Sequence, residues 1–155
     1  PGRSPGLREM AGESWPQIRR SRLGAGVVLD GGVVLALRLE DDPNHPRVLT
    51  AVLSLAESRV PLVVSYLSLA EAARRIHSLQ GPRAAIALLR AAEGVFNLVV
   101  PTEEDLTAAD GILAQGLPDL GFEEAVAGVI ARRLGCSIYG LSPVYHLLHV
   151  PVIID

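Results

Sequence analysis

The chain has 155 residues, enough for one domain with a substantial core and too few for two ordinary ones. It is 49% hydrophobic, yet no apolar run reaches the roughly 18 residues of a membrane-spanning helix, and a net charge of −3 argues against a surface coated in positive charge for nonspecific nucleic-acid binding. All 14 basic residues are arginine, which excludes a Walker A lysine, a Schiff-base lysine and the phosphate-binding lysine of kinases. The opening PGRSPGLREMAGES lacks the apolar stretch of a secretory signal, and one cysteine cannot form an internal disulfide. The expectation is a soluble protein of the reducing cytoplasm, with no membrane association.

Residues 1–22 are rich in Pro, Gly, Ser and Arg and read as an arm, with Met10 a candidate natural start and Arg19, Arg20 and Arg22 a short basic cluster. The domain spans 23–155. GAGVVLD predicts a doubly buried strand ending at Asp30, followed by a helix through about Glu40 and a second over 46–58. PLVVS (61–65) predicts a strand. Leu69, Ala73, Ile76 and Leu79 then recur at helical spacing, and Pro82 opens another helix to about Ala92. FNLVV (96–100) predicts a third strand, and TEEDLTAADGILAQ a helix with Thr102 as N-cap. GFEEAVAGVIARRLG predicts a helix closed by Gly135, before short strands at 137–141 and 150–154. Strands alternating with helices imply an α/β fold with a mostly parallel sheet covered on both faces.

Several residues in this pattern carry chemistry. Asp30 stands where the first strand meets the first helix, at the sheet edge where ligands bind, although an aspartate there also suits a helix N-cap. Glu71 lies early in LSLAEAARRIH among small and apolar neighbours, and an exposed pair with Arg75 would equally explain it. Glu123 and Glu124 occupy a helix first turn, which the helix dipole favours without any function. Together, three acids at the starts of helices could converge at one edge of a parallel sheet, as an oxygen-liganded Mg²⁺ or Mn²⁺ requires. Cys136 reads as a small buried residue, and His146 and His149 lack the nearby acid or thiol of a zinc site. Gly24 and Gly26 precede the first strand, so they form no dinucleotide loop. Arg74, Arg75, Arg83 and Arg90 fall on successive helices, either as a solvated face or near an RNA backbone.

VVLDGGVVLALRLEDDPNHPRV resembles the opening of a PIN domain, in which a strand ends in Asp and a Leu- and Ala-rich helix follows. PLVVSYLSLAEAARRI resembles the family's second block, whose acid maps onto Glu71. GFEEAVAGVIARRLGCSIYGLS resembles the third, with Glu124-Ala125 at the family's Asp-Ala position and Glu123 the alternative. The resemblance covers about residues 25–154 and implies a three-layer α/β/α sandwich. It further implies a metal-dependent endoribonuclease similar to the toxin half of VapBC-type pairs, with Asp30, Glu71 and Glu124 as catalytic residues holding Mg²⁺ or Mn²⁺. RNA, an antitoxin protein and a second copy of the chain, paired through 48–55 and 82–92, are the implied partners.

Four positions depart from the family pattern. Gly31 stands where a hydroxyl residue is usual, the third acid is Glu rather than Asp, and the acidic positions after the fourth strand align with Ser142 and Val144. Three strong ligands are therefore expected where the family often has four, with weak catalysis. The alternative is a PIN-like module that has lost catalysis and binds RNA or protein.

Overall fold

The structure is a computed structural model that describes residues 26–153. The arm expected at 1–22 lies outside the described residues. Four short strands, β1 (Val27–Leu29), β2 (Leu62–Ser65), β3 (Asn97–Val99) and β4 (Ser137–Tyr139), form one sheet in the order β3-β2-β1-β4, and every pair is parallel. Six helices connect them: α1 (Gly31–Arg38), α2 (His45–Glu57), α3 (Tyr66–Gln80), α4 (Pro82–Val95), α5 (Glu103–Leu113) and α6 (Phe122–Leu134).

Strand alternation divides the core in two. Val27, Leu29, Leu62, Val64 and Tyr139 pack with α1 to α4, whereas Val28, Val63 and Ile138 face the opposite way, onto α5 and α6. Both sheet faces are thus covered, as the β-branched runs require, and the expected three-layer arrangement is present. The chain leaves β1 toward β2 and β3, then returns to lay β4 on the other side of β1. This reversal opens a crevice beyond the C-terminal ends of β1 and β4, the place where open α/β sheets bind ligands. Among the described residues no helix is long and apolar enough to cross a membrane.

Three local expectations need correction. Of the strand expected at 150–154, the described residues 150–153 hold a single bridge, Ile138 to Val152, and Ile154 lies outside them. Pro151 has no N–H to extend a ladder, and its carbonyl instead accepts from the Ile138 N–H at 2.8 Å. The strand expected at 137–141 stops at Tyr139, because the chain turns at Ser142 into a 3₁₀ helix, Pro143–Leu147. Leu79 is 65% exposed and does not share the buried face of Leu69, Ala73 and Ile76. At 100° per residue it has rotated about 80° away from Leu69.

A second buried acid lies outside the crevice. Thr102 and Asp105 form a capping box at the start of α5, and Arg133 of α6 donates two hydrogen bonds to the same Asp105 carboxylate, both at 2.8 Å. Burial alone would raise the pKa of Asp105, but the guanidinium and the cap hold it below the ordinary carboxylate value.

Candidate functional site

Asp30 follows the last residue of β1 and is only 4% exposed. Its extended backbone makes it the N-cap of α1, and its Oδ1 accepts from the Val33 N–H at 2.8 Å. Its Oδ2 accepts from the Tyr145 hydroxyl at 2.7 Å. The two readings open for Asp30 are therefore compatible: it caps a helix and also presents a carboxylate at the crevice.

Gly31 has a steric reason. A Cβ there would lie 2.9 Å from the Ser68 carbonyl oxygen, so only glycine lets the first turn of α1 approach α3 this closely. The approach also aims the Gly31 N–H at Glu123, whose Oε1 accepts it at 2.9 Å and accepts from the Ser68 hydroxyl as well. Glu124, the next residue of α6, folds its carboxylate back over Gly121, where a Cβ would stand 2.5 Å from Oε2.

Glu71 is held differently. Arg74 donates to both of its oxygens, at 2.9 and 3.2 Å, and the side chain is 41% exposed. The partner sits at i+3, one residue short of the Arg75 expected from the i+4 spacing. That pairing lowers the pKa of Glu71, chiefly through the Arg74 hydrogen bond.

Asp30, Glu71, Arg75, Glu123, Glu124 and Ser142 line one cavity of about 640 Å³. Ser142 turns its hydroxyl to cap the 3₁₀ helix, accepting from the Val144 N–H at 3.3 Å. His146 and His149 take no part in it. Cys136 is buried, as expected.

The charges in this cavity are poorly compensated. Glu123 is pushed up to about 7, first by burial and then by the Asp30 charge, with the Ser68 and Gly31 hydrogen bonds opposing. Asp30 is raised as well, mainly by burial, with Glu124 adding repulsion against the Tyr145 and Val33 hydrogen bonds. Tyr145 is pushed far above the ordinary phenol range, again chiefly by burial, so it remains a hydrogen-bond donor at any working pH. Among the described residues no arginine bridges to Asp30, Glu123 or Glu124.

The donor set fits a hard divalent cation in kind, since it is oxygen throughout and, among the described residues, no arginine pairs with Asp30, Glu123 or Glu124. It is not gathered at a point. Among the described residues no three His, Cys, Asp or Glu side chains converge closely enough to hold an ion as they stand. Glu71 would have to leave Arg74, and Glu123 would have to offer the oxygen not bound to Gly31 and Ser68.

Sequence reasoning did not find Ser68 or Tyr145. Ser68 lies in the SYLSLAE stretch, three residues before Glu71, one helical turn away, and that spacing is the only signal it left. Tyr145 stands 115 residues from Asp30, between the two last expected strands, and no local pattern joins the two.

No family model and no curated protein matches this chain. Solved structures do. One is VapC20 of Mycobacterium tuberculosis, described as a sarcin-ricin loop cleaving toxin, at 19% identity and a TM-score of 0.70 over 84% of this chain and all of that one. Another is FitAcB from Neisseria gonorrhoeae, at 16% identity and a TM-score of 0.63 over 83% of this chain and 96% of that one. At such identities the likeness is one of fold, and the fold is that of the PIN domain.

Proposed function

We propose that this PIN-like chain is a divalent-metal-dependent endoribonuclease of the VapBC toxin kind, with low turnover. The observation that carries the reading is the cavity at the β1/β4 reversal, where Asp30, Glu123 and Glu124 are brought together with Glu71 and no arginine neutralises the first three.

Asp30, Glu71 and Glu124 are the proposed catalytic and metal-holding residues, and Glu123 joins them on the strength of its contact with Gly31. A bound Mg²⁺ or Mn²⁺ would supply a water of lowered pKa and offset the charge that develops on a phosphate. The protein's own part is placement. Val33 and Tyr145 fix both oxygens of Asp30, Ser68 and Gly31 fix one oxygen of Glu123, and Arg75 at the cavity wall offers a phosphate a positive charge. Ser142 brings no charge and is committed to a cap, which supports slow cleavage. The same Ser142, with Gly31 barred from carrying a hydroxyl, favours the second reading of a non-catalytic RNA- or protein-binding module.

An antitoxin partner and a homodimer belong to the first reading. Ile86 and Leu89 of α4 are exposed apolar residues, and α2 borders an open recess in which Pro46, Ala51, Leu55 and Ile153 are joined by Arg47, Thr50 and Ser54, so the regions expected to pair offer apolar surface with a polar share. A monomeric mass at micromolar concentration would remove the dimer.

Calorimetry with Mn²⁺ on the wild type, Glu71→Gln and Glu123→Gln tests the central claim, alongside cleavage of single-stranded RNA. Carboxylate-dependent Mn²⁺ binding with slow cleavage is expected. Absence of any such binding would sink the nuclease reading, and binding without cleavage would favour the non-catalytic module.

A further inference from the structure

A smaller recess of about 340 Å³ adjoins the acidic cavity, lined by Leu67, Ala70, Glu71, Arg74, Phe122 and Glu123. Phe122, Glu71 and Glu123 line both spaces, so the two are neighbours that share the ridge these three side chains form. The chain has only two phenylalanines. Phe96 is fully buried, whereas Phe122, the first residue of α6, is 42% exposed and lines the recess. Leu67 and Ala70 give the recess apolar lining, and Arg74, with a side chain 66% exposed, lines it as well.

We propose that this recess binds a nucleobase next to the phosphate held at the acidic cavity, with Phe122 as its stacking surface. The proposal rests on the reading of the acidic cavity as a phosphodiester site. A ligand spanning the ridge must carry an anionic, cation-seeking group and a flat apolar group within about one residue's reach. Neighbouring phosphate and base of a polynucleotide are related in this way. Every base has a π-face, so an aromatic platform binds without demanding a sequence. In a duplex that face is stacked and hidden, so the ligand is single-stranded RNA, or a loop whose base can swing out.

The experiment uses the full chain with excess Mg²⁺ and two probes that contain no cleavable phosphodiester, adenosine 5′-monophosphate and ribose 5-phosphate. By calorimetry the nucleotide should bind the wild type about tenfold more tightly, and Phe122→Ala should erase that advantage without weakening ribose 5-phosphate. Phe122→Trp retains the aromatic platform, and its added indole emission should be quenched by the nucleotide and not by the sugar phosphate. If both probes bind equally and Phe122→Ala changes neither, the base site is overturned and the acidic cavity stands. If neither probe binds at any Mg²⁺ or Mn²⁺ concentration, the base site and the phosphodiester reading fall together.

Discussion

Asp30 and Asp105 are the same residue type, both help to cap a helix start through their side chains, Asp30 as the N-cap and Asp105 as the third residue of α5, and both are almost wholly buried. Their surroundings differ in one respect. Asp105 faces a guanidinium that meets both its oxygens, while Asp30 faces a phenol and a peptide N–H, with further acids beside it. The pKa of Asp105 is accordingly depressed and that of Asp30 raised. A buried acid with its own cation serves the fold. A buried acid held only by neutral donors keeps its charge available, and it is there that a ligand's charge has something to do.

The contrast is tested most strongly by removing charge in each region. Asp30→Asn keeps a competent N-cap, and Glu123→Gln keeps most of its shape. Either should cut RNA cleavage by about 100-fold or more while leaving metal-free stability unchanged or higher. Asp105→Asn should do the reverse, lowering the unfolding midpoint and sparing cleavage. Equal loss of cleavage in all three, measured as kcat/KM beside denaturant melts, would mean that the two acids do not differ in role.

Arg133→Ala leaves Asp105 buried beside α6 without its cation. Because Arg133 is itself partly exposed, the expected cost is about 2 kcal/mol, below that of a fully buried pair. In a chain of this length that corresponds to a fall in melting temperature of about 6 °C. An unchanged melt would show that the pair is ornamental.

The two regions should also answer pH with opposite signs. Glu123 binds its proton more tightly folded, at about 7, than in an ordinary carboxylate at 4.5, so the folded state holds more protons between those values. Metal-free stability should therefore decline from about pH 4.5 to 7, by an amount on the order of 1 kcal/mol or more, with Asp30 adding in the same direction. Asp105, depressed below 3.8, contributes stability that is present above that value and lost as pH falls through its folded pKa. Urea melts from pH 3 to 8 should find a maximum between the two windows. Saturating Mn²⁺ should flatten the upper limb, since the ion favours the deprotonated acids. A limb that persists unchanged in Mn²⁺ would separate the titration from metal binding.

The smallest expected effect is a gain. Ser142→Asp places an acid at the cavity wall in a residue type that caps a helix as well as serine does, and cleavage should rise severalfold with little change in melting. Brisk wild-type cleavage in Mg²⁺ that Ser142→Asp does not alter would make the position dispensable.

How far the sequence could be read follows from the range of each interaction. The run ending at Asp30 declared itself because strand burial and helix capping are local, and α5 and α6 were legible through Thr102 and Gly135 for the same reason. Glu123 and Glu124 were harder to rank. They are adjacent, so about 100° of helix rotation separates them, and which one meets Gly31 depends on how α6 is set against α1 and α3. The strand expected at 150–154 failed because apolar composition says nothing about whether a neighbouring strand is long enough to pair with. Tyr145 was beyond reach, since its role depends wholly on the parallel pairing of β1 with β4.

Gly140 has a consequence in time. A Cβ there would collide with the Tyr145 ring and stand 2.7 Å from Asp30 Oδ2, so the bare backbone after β4 is what lets the tyrosine cross to the first strand. During synthesis β1 can pair with β2 early, but its other edge stays open until β4 emerges more than 100 residues later, and Asp30 gains its second donor only when Tyr145 has followed. A ribosome-bound chain stopped before residue 137 should therefore leave the β4-facing edge of β1 exchanging its amides with solvent and bind Mn²⁺ poorly. On the nuclease reading, a chain organised this way is inert until β4 and the Tyr145 segment join the sheet and complete the surroundings of Asp30.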